Sequence, residues 1–73
     1  MMTTKKRKEV HDKMEMEINV LKYGLCTIGE AEYRIDIVIR EAIEGIDELG
    51  ERIETVRKLK RKAWKMLLAA TGL

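Results

Sequence analysis

Four cations near the end of the chain, Lys58, Arg61, Lys62 and Lys65, are separated by steps of three and four residues. On a helix this spacing gathers them within about 100° of arc, a single face. Arg57 lies beside them, with Trp64 and Leu68 toward one border. Such a stripe tracks the phosphates of a nucleic acid or another polyanion, giving salt-sensitive, sequence-independent binding. Flanked by Trp and Leu, it also suits an anionic membrane interface. The bland alternative is the solvated face of a bundle helix, matched to acidic segments of neighbouring chains. Among ligands nucleic acid leads and a membrane surface comes last. Two further uses remain open. One is a nucleotide-like anion held where subunits of a small oligomer meet. The other is an adaptor or inhibitor docking on another protein by helix-in-groove packing.

The remaining reactive residues are sparse. His11 has no second histidine or Glu-x-x-His partner for a metal, and its i,i+4 relation to Glu15 reads as a surface pair. Cys26 is the only cysteine, which rules out a disulfide within the chain and leaves a small apolar residue in a turn. The acidic set Glu41, Glu44, Asp47, Glu48 and Glu51 lacks the loop of a calcium site and reads as a solvated face. The glycines form no phosphate-binding pattern. No nucleophile–base–oxyanion arrangement is legible. The expectation is a non-enzymatic binding or regulatory protein without metal or cofactor.

The charge is strongly segregated. The chain's net of +2 divides into +2 over residues 1–29, −6 over residues 30–51 and +6 over residues 52–73. Lys5, Lys6, Arg7 and Lys8 add cations at the start, where a helix dipole disfavours them. They are a second candidate for contact with an anion. Opposite charges in two segments also favour antiparallel pairing of copies. No apolar stretch follows the first cations and none approaches the ~20 residues of a membrane span. A cytoplasmic protein with a reduced thiol is expected.

At 73 residues, 38% charged and without proline, the chain has the composition of long helices and a thin core that oligomerisation would strengthen. Helix 1 is expected over about 4–23, capped by Thr3 or Thr4 after a frayed start, with a stripe of Val10, Met14, Ile18, Leu21 and Leu25. A turn over 24–27 follows. Gly24 stops the helix, and Thr27-x-x-Glu30 forms a capping box for the next.

The ladder Ile35, Ile39, Ala42, Ile46, Leu49, Ile53 and Val56 then alternates steps of four and three, the spacing of a helical heptad seam. The phase runs on through Lys60, Ala63 and Leu67, with Trp64 adjacent. This unbroken phase predicts one helix over about 28–71, continuous through Gly45 and Gly50. The competing arrangement has three helices broken near Gly50. The expected architecture is an all-α helical hairpin with a long second helix, one domain over residues 1–73. It would pair through the ladder into a dimeric four-helix bundle or a higher oligomer. Lys60 either fixes the register of that seam or marks where it opens toward an anion.

Overall fold

The computed structural model describes residues 3–72, so Met1 and Met2, of the start expected to fray over residues 1–4, and Leu73 lie outside the described residues, while Thr3 and Thr4 are the cap and first residue of a helix. Three helices follow in order, α1 (Thr4–Lys22), α2 (Ile28–Ile43) and α3 (Leu49–Thr71). Among the described residues there is no strand.

The first reversal follows from local chemistry. Thr3 caps α1 by accepting the Lys6 N–H at 3.1 Å. At the other end Gly24 takes a positive φ of 72°, a conformation costly for any residue with a Cβ. Its N–H donates to the Leu21 carbonyl and that of Leu25 to the Val20 carbonyl, both at 3.0 Å, which satisfies two end carbonyls of α1. Leu25 lies beyond the helix and is exposed rather than part of the α1 stripe. Thr27 then opens α2 with a complete capping box: its hydroxyl accepts the Glu30 N–H, and Glu30 Oε1 accepts the Thr27 N–H, each at 3.1 Å.

The second reversal corrects the expectation of one long helix. The chain leaves α2 at Ile43 and re-enters helix at Leu49, so the break falls over residues 44–48, ahead of Gly50. Ile46 N–H donates to the Ile43 carbonyl at 3.0 Å, closing a tight turn around Gly45, a residue that weakens a helix interior by about 1 kcal/mol. Ile46 is buried under the turn. Glu48 is extended (φ −78°, ψ 123°) and its carboxylate accepts the N–H groups of Gly50 at 2.9 Å and Glu51 at 2.8 Å. Gly50 leaves room for this: a Cβ there would sit 2.9 Å from Glu48 Oε1.

With about 28 Å of α1 and 34 Å of α3 at 1.5 Å per residue, the 37 × 20 × 16 Å envelope requires the helices to lie along its long axis. The connections of five residues each, 23–27 and 44–48, therefore make neighbours antiparallel, and α1 and α3 run in the same sense. Each helix contacts the other two. Val10, Met14 and Ile18 of α1, Ala31, Ile35, Ile39 and Ala42 of α2, and Leu59, Ala63 and Leu67 of α3 form one buried cluster. Met14 is 0% and Ile35 2% exposed, and the alanines let the helix axes approach. The ladder residues Ile35, Ile39, Ala42 and Ile46 thus meet the chain's own helices. Past the turn the core follows Val56, Leu59, Ala63, Met66, Leu67 and Ala70. Leu59 takes the place expected of Lys60, which is exposed.

Two outcomes follow. Replacing Glu48 with alanine should lower stability by about 0.5–2 kcal/mol, as loss of an N-cap does, while Leu49→Ala, 70% exposed within the single chain, should stay within about 0.5 kcal/mol in dilute, monomeric protein. In a continuous helix the order would reverse, and thermal unfolding of the two variants distinguishes the cases. The Thr27 backbone N–H, then its hydroxyl, then the charge of Arg34 hold the Glu30 carboxyl below its ordinary value of 4.5. A lowered folded-state pKa stabilises above the unfolded value and is lost as pH falls through the folded one. The melting-temperature gap between wild type and Glu30→Ala should therefore be full at neutral pH and shrink well below pH 4.5.

Candidate functional site

The surface of α3 divides into three sectors at 100° per residue. One holds Leu59, Ala63 and Leu67 and faces the core. About 100° round lies an apolar stripe of Leu49, Ile53, Trp64 and Leu68, of which the first three are 70, 45 and 57% exposed. Roughly 120° further lies the basic arc. Its members Lys58, Arg61, Lys62 and Lys65 are all exposed, as is Arg57, which falls between Trp64 and Leu68 on the side of the stripe nearer the arc.

Among these five cations Lys58 alone has an ion pair, with Glu54 one turn earlier at 3.4 Å. Both partners are more than two-thirds exposed, so water screens the pair and its contribution is at most a few tenths of a kcal/mol. The Lys58–Arg61, Lys58–Lys62, Arg61–Lys65 and Lys62–Lys65 spacings place like charges about 5–6 Å apart at Cβ. That costs the isolated helix a little stability and creates a positive potential for an anion to relieve.

The α1 helix adds to this face. Arg7 and His11 line an open groove of about 350 Å³ together with Glu51, Glu54, Thr55, Lys58, Leu59 and Lys62 of α3. Parallel packing of α1 and α3 creates it. Leu59 is its apolar floor, Glu51 and Glu54 lie toward the start of α3, and Lys58 and Lys62 lie one and two turns later. Of the four cations at the chain start, Arg7 is the one that the fold brings to this groove. His11 Nε2 lies 3.2 Å from Glu15 Oε2, the pairing expected from spacing, while its Nδ1 is buried without a hydrogen-bond partner.

Other candidate residues separate. Cys26 is a half-buried free thiol packed against the core. Glu41, Glu44 and Asp47 are exposed, and Glu48 serves as a helix cap. Among the described residues no group of three or more His, Cys, Asp or Glu is placed to hold a metal ion. No helix among them is long and apolar enough to cross a membrane. Arg34 reaches from α2 to Glu17 of α1 at 3.5 Å, a tie between helices remote from the basic arc. The meeting of Arg7 with Lys58 and Lys62 depends on how α1 packs against α3, and no spacing in the sequence encodes it.

No protein-family model, curated protein or solved structure matches the chain.

Proposed function

We propose that this protein is a non-enzymatic binding module that engages a polyanion, nucleic acid foremost, through the basic arc of α3 with Arg7 alongside. The observation that carries the reading is the arc itself: Arg57, Lys58, Arg61, Lys62 and Lys65 exposed on one continuous side of a helix, with a single screened ion pair between them and the acidic residues. A face whose only task was solubility would intersperse both signs. Within α3 the acidic residues, Glu51 and Glu54, are confined to the first turns, leaving the later turns positive.

Lysine and arginine on a helix of this kind bind by charge and by release of condensed counterions, so affinity rests on the phosphate backbone rather than on base edges. Arg57 and Arg61 add planar forks that match phosphate oxygens, and the lysines act as point charges on flexible stems. In the groove Arg7 of α1 joins Lys58 and Lys62 of α3, while Glu51 and Glu54 line its part nearer the start of α3. Such a module recognises a duplex by its charge and shape with little sequence preference.

Fluorescence anisotropy with a labelled duplex tests this reading. With four to six cations engaged, the logarithm of the association constant should fall with the logarithm of salt at a slope of about −4 to −5. Reversing two charges with Arg61→Glu and Lys62→Glu should abolish binding while leaving helicity intact, because both positions are exposed. No binding of DNA or RNA by the wild type at about 50 mM salt, where such contacts are strongest, would sink the reading.

A further inference from the structure

In the apolar stripe of α3 Leu49, Ile53 and Trp64 are exposed and Leu68 is half-buried, and the four residues are arranged in a particular order. Leu49 and Ile53 form an i,i+4 pair at one end, and Trp64 and Leu68 form another at the other end. The two pairs are the same distance from a midpoint between Lys58 and Leu59. A two-fold axis through that midpoint, perpendicular to α3, sets Ile53 against Trp64 and Leu49 against Leu68 of a second copy. A patch that matches itself under a two-fold is what an isologous dimer interface requires.

From this self-matching stripe we infer that a second copy of the chain docks antiparallel on the Leu49–Ile53–Trp64–Leu68 face of α3. Charge selects the direction. In the antiparallel arrangement like flanks of the two helices adjoin, so Glu54 of one copy comes beside Arg61 of the other, and the reverse pair forms by symmetry. A parallel pairing would instead bring opposite flanks together, separating Glu54 from Arg61 of the other copy and losing both of these contacts. The same two-fold keeps both basic arcs on one side of the dimer, which doubles the positive surface available to a polyanion. The pairing itself stands on the stripe and does not require the polyanion reading.

The centre of this interface is its weak point. Arg57 and Lys60, both exposed, interrupt the stripe symmetrically about the midpoint, so two copies bring four cations together at the axis. Their long stems can lead the charges outward, but repulsion there opposes assembly. The dimer is therefore limited by its centre and held by its ends.

Light scattering on the full chain, without nucleic acid, tests the inference. The molar mass should rise from 8.5 kDa toward twice that value as concentration rises, and emission from Trp64, the only tryptophan, should shift to the blue as it is covered. Ile53→Asp should return the protein to monomer with helicity retained by circular dichroism; should that variant lose helicity, Trp64→Gln decides in its place. The double change Arg57→Ala and Lys60→Ala should tighten the dimer roughly tenfold by removing like charges from its centre, while weakening any binding of nucleic acid. A mass of 8.5 kDa at every concentration would overturn the inference. So would a dimer indifferent to the stripe variants, or one weakened by loss of Arg57 and Lys60. The molar mass of the chain without nucleic acid and the anisotropy titration of the wild type are independent readouts, so the two readings fail separately.

Discussion

The reversal over residues 44–48 brings α3 back beside α1 and α2. Without it α1 would have one helix to pack against, and the buried faces of α2 and α3 would point along one long rod. With it, α3 returns beside α1 and three stripes close on a common core around Met14 and Ile35. The turn is held by few contacts: the Ile46 N–H to the Ile43 carbonyl, the burial of Ile46, and the Glu48 carboxylate over the first N–H groups of α3. Each satisfies a group that a helix end otherwise leaves exposed. Together they turn a thin set of apolar residues into a closed bundle.

That closure determines what is left outside. Because Leu59, Ala63 and Leu67 face inward, the other sides of α3 must carry everything else. The apolar stripe and the basic arc stand side by side on those sides. The start of α1 comes alongside as a consequence of parallel packing, so Arg7 reaches the groove shared with Lys58 and Lys62. One helix thus contributes to the core, to a free apolar face and to a positive face.

The sequence discloses the first half of this architecture better than the second, for physical reasons. Gly24 and the Thr27–Glu30 box act locally, through a positive φ and two reciprocal hydrogen bonds, so they can be read without knowing the fold. The second break hides because glutamate is not among the usual N-capping residues and because Leu49 and Ile53 continue the heptad phase of α2. In the fold those two side chains are exposed. The inward register of α3 passes through Leu59 instead of Lys60, so the unbroken ladder joins two registers that serve different faces. The basic arc is readable because its members are neighbours on one helix. The approach of Arg7 is not, because packing between α1 and α3 creates it.

Closure of the three-helix core leaves the outer side of α3, with Arg7 alongside, as the surface we propose for a polyanion. The most direct measurement is a map of backbone amide chemical shifts during titration with a short nucleic-acid duplex. Perturbations are expected along Arg57, Lys58, Arg61, Lys62 and Lys65 and at Arg7, with α2 largely silent. Perturbations centred on α2, or none at all at low salt, would contradict that proposal.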